Sequence, residues 1–292
     1  MTIRRILMEA EKFLQNSFRA WNILPAAFLE LCNRKVASLA DKREDGSKDY
    51  ANSETWRDMF APFVKQRAKS RIDENGIAHI EIRGALFQDE APYALAAYGA
   101  TGYGELLDDL NYAEKNARGI FLKINSPGGH AAGNADTAKA FAISKLPVVA
   151  HARDCCCSAA YAIASGANYI FANLDTLLGS IGTILPLIDE EGLWNNLGIK
   201  PDYITNRDGI FKASGMPPSQ SPLERQSLQL ETESFFELFK SHVLKYRNIP
   251  SEAMQGQAFT GLKALENNLI DGIRGESAAY EKLLYLTKKQ SV

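Results

Sequence analysis

The 292-residue sequence has no excess of one charge: 33 Lys and Arg stand against 35 Asp and Glu, a formal charge of −2. That balance removes the electrostatic case for a nucleic-acid binder, and no basic block restores it. Cysteine is scarce. Of four, three are consecutive (Cys155, Cys156, Cys157), which is no disulfide framework and suits a reducing, cytoplasmic compartment. The sequence contains no C-x-x-C, no H-E-x-x-H and no G-x-x-x-x-G-K-[ST], so no metal or cofactor is expected. It also lacks a lipid-spanning run. The N-terminal apolar stretch is broken by Glu9, Glu11, Lys12 and Arg19, and Ile23–Leu29 is short and carries Pro25. The uncharged run Cys155–Leu174 has spanning length but is diluted by Ser158, Ser165, Gly166, Asn168 and Asn173. It reads as a buried helix leading into a buried strand, and a soluble protein is expected.

What is present is ordinary globular composition, 46% hydrophobic and 23% charged. The length allows one large α/β core with a smaller appendage. Residues 1–70 read as an N-terminal helical extension. Its first segment is amphipathic, Asp41–Asp49 is a linker with seven charged residues in nine, and Pro62 interrupts a second helical stretch. From Ile77 the pattern changes: IAHIEIRGALF alternates as a strand, GELLDDLNYAEKNA is helical, and GIFLKI is a buried strand. A helix around NADTAKAFAIS, a strand PVVAHA, a helix SAAYAIASGA and a strand NYIFA follow. Strand and helix in alternation predict a largely parallel sheet over a core at 71–275, with a C-terminal helix or tail at 276–292. The longest helix starts at Ser221-Pro222-Leu223-Glu224, a capping box, and runs to about Arg247 with Leu228, Phe235, Phe239 and Val243 on one face. That stripe is a core or oligomer face.

Three short segments carry possible chemistry. Asn125-Ser126-Pro127-Gly128-Gly129 follows a buried strand, and its glycines allow a close backbone approach with N–H groups at a helix entrance, where an oxyanion could be held. It is equally a tight strand-to-helix turn. Ser158, in Cys157-Ser158-Ala159-Ala160-Tyr161, stands at a strand end before a helix, where an isolated Ser would simply cap the helix. Ser180, in Leu178-Gly179-Ser180-Ile181-Gly182, is a serine in a glycine-bracketed turn.

In this order and spacing, FLKINSPGG, SAAYAIASGANYIFAN, TLLGSIG and FTGLKALENNLIDGI resemble the signal peptide peptidase A (protease IV) family of serine peptidases over roughly residues 77–275. The resemblance implies an α/β spiral of the ClpP/crotonase type. It implies Ser158 as nucleophile, with an oxyanion hole from backbone N–H groups of Gly128 or Gly129 and of Ala159. The family's base is a Lys in the stretch TNRDGIFKASGMPPS, which here is Lys212, oriented by Ser180. Lys200 belongs to the preceding turn, and Arg207 cannot give up its proton. No His falls between His151 and His242, so a ClpP-type triad is unsupported, and His79, His130, His151 and His242 read as structural or surface residues, with His130 the one near enough to line the site. Phe211 and a closed cleft are expected to desolvate the Lys212 amine. The Cys triplet departs from the family's small residues and reads as packing rather than as a thiol nucleophile.

The implied activity is endopeptidase hydrolysis through an acyl-enzyme. The chain resembles the soluble phage-type branch, whose members process scaffold or capsid proteins during head assembly. A free-standing cytoplasmic peptidase is the alternative setting. A crotonase-like acyl-CoA enzyme and a catalytically inactive assembly protein are the alternatives of other classes. Protein substrates and a homo-oligomeric ring are the expected partners, in the host cytoplasm if phage-encoded.

Overall fold

The computed structural model of the chain describes residues 71–89, 99–187, 189, 191–216 and 220–290. The helical extension and linker expected at 1–70 lie outside the described residues. Almost all described residues fall in one compact unit, Lys69–Glu90 with Thr101–Val292.

A twisted sheet is assembled from β1 (Arg71–Ile72), β2 (Ile77–Phe87), β3 (Thr101–Gly102), β4 (Gly119–Gly129), β5 (Val148–Cys157), β6 (Tyr169–Ala172), β7 (Leu177–Gly179), β8 (Ala258–Thr260) and β9 (Gly272–Ile273). The main path runs β1-β2-β4-β5-β6-β9. The pairs from β2 through β9 are parallel, and β1 is antiparallel to β2. Beyond its pairing with β6, β5 continues beside β7 in parallel, and β7 pairs β8 antiparallel. The helices are α1 (Tyr103–Asn116), α2 (Asn134–Ala142), α3 (Ala159–Ser165), α4 (Glu191–Asn196), α5 (Pro222–Tyr246), α6 (Gly261–Glu266) and α7 (Glu276–Gln290).

The near-continuous apolar strands GIFLKI and VVAHA are explained by a sheet covered on both faces. Alternate residues go to alternate faces. Leu122, Ile124, Ala150 and Ala152 pack with Leu106 and Leu110 of α1, Phe141 of α2, and Tyr161 and Ile163 of α3. Phe121 and Val149, with Ile77 and Phe171, take Ala279 and Leu283 of α7 on the other face. Each fully buried Leu, Ile or Phe here is worth about 1.5–3 kcal/mol of transfer free energy.

The long helix begins as its sequence predicts. Ser221 Oγ accepts the Glu224 N–H, and the Glu224 carboxylate accepts the Ser221 N–H. Of its apolar stripe, Phe239 and Val243 enter the core, while Leu228 and Phe235 are half-buried. Just past α5, the buried Arg247 donates to the Ser165 carbonyl (3.0 Å), the Ala167 carbonyl (2.8 Å) and Asp271 Oδ2 (2.7 Å). It thereby ties α5 to the turn after α3 and to the entry of β9.

Two strands run further than their apolar stretches suggest. NSPGG is not a turn at a helix entrance: it completes β4, and α2 starts only at Asn134. Likewise β5 runs on through Cys157. The register between them shifts after Ile124/Ala152 and resumes at Ser126/Cys156, so Arg153, Asp154 and Cys155 stand opposite Asn125 alone. Backbone pairing around this bulge, rather than side-chain patterning, holds the polar residues in strand form. Asn125 Nδ2 donates to Asp154 across it (2.8 Å).

Candidate active site

The ends of β5 and β7 lie side by side, with Cys157 opposite Gly179. The next residue on each strand is a serine with a left-handed backbone: Ser158 has φ 51° and Ser180 has φ 50°. Both are pinned by backbone bonds. The Ser158 N–H donates to the Gly179 carbonyl (2.7 Å) and the Ser180 N–H to the Gln257 carbonyl (2.8 Å). A non-glycine residue in this region is strained, and such strain is stored where the surrounding structure over-determines it. Ser158 occupies the position before α3, yet its side chain makes no capping hydrogen bond. The plain helix-cap role is therefore not the one it plays. Its conformation is a sharp strand-to-helix turn at the end of the central strand β5.

Gly128 comes against this turn. A Cβ built there would lie 2.7 Å from Ser158 Cβ, 2.8 Å from the Cys157 carbonyl and 2.9 Å from the Ala159 nitrogen, and its φ is +98°. Gly129 is constrained from the other side, since a Cβ would lie 2.0 Å from the Leu86 carbonyl oxygen. Both glycines are thus required for the approach of β4 to β2 and to the Ser158 turn. The Gly128 N–H donates to Ser126 Oγ (3.1 Å), which itself donates to the Gly84 carbonyl (2.6 Å). Ala159, nearly buried, opens α3.

The structure brings together Ser158, Ala159, Gly128, Gly129 and Ser180. Among the described residues no hydrogen bond or ion pair joins the Lys212 side chain to them. Lys212 lies in a run of turns, its N–H donating to the Gly209 carbonyl (3.0 Å), and its side chain is exposed. Phe211 is 41% exposed, so the expected desolvation of the Lys212 amine is not supplied by Phe211 among the described residues. The reason is local. From Gly182 to Met216 the chain contributes only α4 and short turns, and it leaves Ile184, Leu197, Ile204, Ile210 and Met216 exposed.

The four histidines have partners elsewhere. His79 Nε2 bonds Asp73 (2.8 Å), His151 Nε2 bonds the Arg274 carbonyl (3.1 Å) and His242 Nε2 bonds the Ala162 carbonyl (3.1 Å). His130 packs edge-on to Phe87 at 5.0 Å. Burial holds His130, His151 and His242 below the ordinary imidazole range. Cys156 and Cys157 are buried and Cys155 is half-buried. The hydrogen-bonding neighbour Cys157, with burial, pushes the Cys155 thiol far up, and burial raises Cys156, so these thiols resist forming thiolates. Among the described residues no cluster of three or more His, Cys, Asp or Glu could hold a metal ion, and no helix is long and apolar enough to cross a membrane.

Two residues that the sequence did not single out complete the surroundings. Tyr103, buried at the start of α1, donates through its hydroxyl to the His130 carbonyl (2.6 Å). Asn134, buried as the first residue of α2, donates to the Ala159 carbonyl (3.0 Å). In sequence each looks like an ordinary helix-start residue.

With this geometry in hand, comparison with known proteins is informative. The profile of Peptidase family S49 matches residues 140–290, which include Ser158, Ser180 and Lys212. The chain belongs to peptidase family S49. Similar curated proteins include the "Putative signal peptide peptidase SppA" of Enterococcus faecium, 32% identical over 58% of this chain and 51% of that one. The "Head-tail preconnector protein GP5" of Enterobacteria phage P21 is 29% identical over 84% of this chain and 50% of its own length. The "Capsid assembly protease C" of Escherichia phage lambda is 28% identical over 70% of this chain and 48% of that one. This S49 chain therefore spans about half the length of these relatives. Among solved structures, a point mutant of ClpP1 from Listeria monocytogenes is similar over 69% of this chain and 93% of that one, with 15% identity and a TM-score of 0.44.

Proposed function

We propose that this S49 chain is a serine endopeptidase working through a Ser158–Lys212 dyad. The observation that carries the reading is the left-handed Ser158 at the end of β5, with its hydroxyl unused in capping and Gly128 pressed against it. Ser158 Oγ attacks the scissile carbonyl carbon while its proton passes to the Lys212 amine. The oxyanion that forms is held by backbone N–H groups. Because the Gly128 N–H is turned to Ser126 Oγ, the pair that serves is Gly129 and Ala159. Lys212 then returns the proton to the leaving amine, and water hydrolyses the acyl-enzyme by the same route. Ser180 orients the amine.

Lys212 acts as a base only when its ammonium is stripped of water. The exposed apolar residues around it, Ile204, Ile210, Phe211 and Met216, supply that once a second copy covers them, so the active form is a homo-oligomer. The names of the two phage relatives support a substrate class: structural proteins of a phage head, cut during assembly. The test is incubation with casein and with the head proteins encoded beside this chain, in parallel with Ser158→Ala. Cleavage by the parent and none by Ser158→Ala is expected. Undiminished cleavage by Ser158→Ala would remove the nucleophile from this position.

A further inference from the structure

Between Asn125 and Gly129 the backbone of β4 changes its register against β2. Arg83 stands opposite Asn125, but Ala85 stands opposite Gly128, so Ser126 and Pro127 together face Gly84. Beyond the shift the ladder resumes, and the His130 N–H donates to the Leu86 carbonyl (2.9 Å). One step back in the same ladder, the Gly128 N–H and the Gly84 carbonyl are the pair due to meet. A side chain bridges them. Ser126 Oγ accepts the Gly128 N–H (3.1 Å) and donates to the Gly84 carbonyl (2.6 Å). A hydroxyl carries a single proton, and here that proton and a lone pair are both engaged in a fully buried place.

We propose that Ser126 is a positioning residue, a hydroxyl spacer that holds Gly128 off β2 and against the Ser158 turn; the assignment rests on the serine-peptidase reading above. Two ladder groups bonded directly approach to about 2.9 Å. An oxygen inserted between them puts two such contacts in series and carries Gly128 toward β5, the neighbour on its other side. There a Cβ on Gly128 would lie 2.7 Å from Ser158 Cβ and 2.9 Å from the Ala159 nitrogen, so the space admits a glycine and no more. The bond is made to the N–H of Gly128 itself, the residue that touches the turn.

The same bond sorts the two glycine donors. With the Gly128 and His130 N–H groups both turned to the β2 side, strand alternation points the Gly129 N–H the other way. Pro127 has no N–H with which to take over the Gly84 carbonyl, so the task falls to the side chain before it. A serine reaches the N–H two residues on by a short local turn. Ser126 does not touch the reacting atoms. Its effect falls on how closely Gly128 walls the Ser158 turn.

The test compares Ser126→Ala and Ser126→Thr with Ser234→Ala, which alters an exposed serine of α5. Crystal structures of parent and variants give the separation of the Gly128 nitrogen and the Gly84 oxygen. Thermal midpoint, kcat and KM on a peptide substrate, and affinity for a peptide boronic acid that forms a tetrahedral adduct on Ser158 give the consequence. In Ser126→Ala the two backbone groups should bond each other directly at about 2.9 Å, so both stay satisfied and the midpoint holds near that of the parent. Gly128 is then drawn away from Ser158. The value of kcat should fall about tenfold with KM nearly unchanged, and the boronate should weaken by a similar factor. Ser126→Thr keeps the hydroxyl and should recover most of the loss, and Ser234→Ala should match the parent. A Ser126→Ala enzyme whose gap stays open, or whose kcat and boronate affinity are unchanged, overturns the assignment. So does a large fall in its midpoint, since the hydroxyl then holds the sheet together rather than spacing it. A folded Ser126→Thr as impaired as Ser126→Ala overturns it as well. If the parent shows no Ser158-dependent turnover, the peptidase reading falls by itself, and the separation in the crystals still decides whether Ser126 is a spacer.

Discussion

The half of the proposed site that carries Ser158 and the half that carries Lys212 are built in opposite ways. Ser158, Ala159, Gly128 and Ser180 sit on strand and helix ends that are buried, paired through backbone hydrogen bonds and backed by the Leu122/Ile124/Tyr161 core. Lys212 sits on turns, with apolar neighbours facing solvent, Ile204 being 96% exposed. The first half is preorganised by the fold of one chain. The second has the composition of a packed surface without the packing. Under the proposed dyad, the difference means that the attacking group is ready before the base is, and that activity depends on what covers residues 182–216.

The largest effect that tests this contrast comes from Lys212 itself. Lys212→Ala should lower turnover about a thousandfold or more, and Lys212→Arg should be no better, because a guanidinium cannot take the proton. In the parent, the pH–rate profile should rise with pH as an amine becomes neutral, without an imidazole step near about 6.5. An active Lys212→Ala enzyme would move the base to another residue, with Lys200 the next to examine.

The second effect is on assembly. Ile204→Asp combined with Phe211→Asp places two carboxylates on the exposed apolar segment without touching the core. Light scattering should show the assembled mass falling toward that of one 32.2 kDa chain, with turnover falling in step while fluorophosphonate still reaches the prebuilt Ser158. Full turnover at the single-chain mass would show that the Lys212 half completes itself within one protomer.

The smallest effect lies on the opposite side of the preorganised region, where α7 meets the sheet. Burial pulls the Asp73 carboxyl upward, but hydrogen bonds from Tyr280, His79 and the Ile77 and Asn75 N–H groups outweigh it and hold it at about 2, against an ordinary 3.8. A carboxyl depressed in the folded state stabilises fully above its unfolded pKa, and that contribution is lost as pH falls from 3.8 toward 2. Urea denaturation at several pH values through this window should show a decline in the parent that is shallower in Asp73→Asn. Equal slopes would remove Asp73 from the account.

Much of this was legible in the sequence. The alternation of Ile77–Phe87, the apolar runs at 119 and 148, and the Ser221/Glu224 cap are local signals, and the fold obeys them. The family was readable because SAAYAIASGANYIFAN, TLLGSIG and FTGLKALENNLIDGI stand in order within the stretch that the S49 family matches. Three things were not. The extension of β4 through Gly129 and of β5 through Cys157 depends on a bulge between two strands far apart in sequence, which side-chain periodicity does not encode. The positive φ of Ser158 and Ser180 is imposed by neighbouring strands, since serine has no preference for it. Tyr103 and Asn134 reach the His130 and Ala159 carbonyls only because the fold brings the starts of α1 and α2 to those residues. Lys212 shows the converse: its apolar neighbours were legible, but their exposure among the described residues was not.

The packing of α7 has a consequence for the order of events during synthesis. Ile77, Phe121 and Val149 wait for Ala279 and Leu283, which the ribosome adds well over a hundred residues after each of them, so one face of the sheet stays open until then. Contacts of such sequence separation form late, because loop closure must be met before they give anything back. A nascent chain that already contains Ser158 and Lys212 therefore still lacks the backing of its sheet. Under the proposed peptidase reading, the sheet that carries Ser158 is backed only once α7 has been made, which sets activity later than the synthesis of Ser158 and Lys212 themselves.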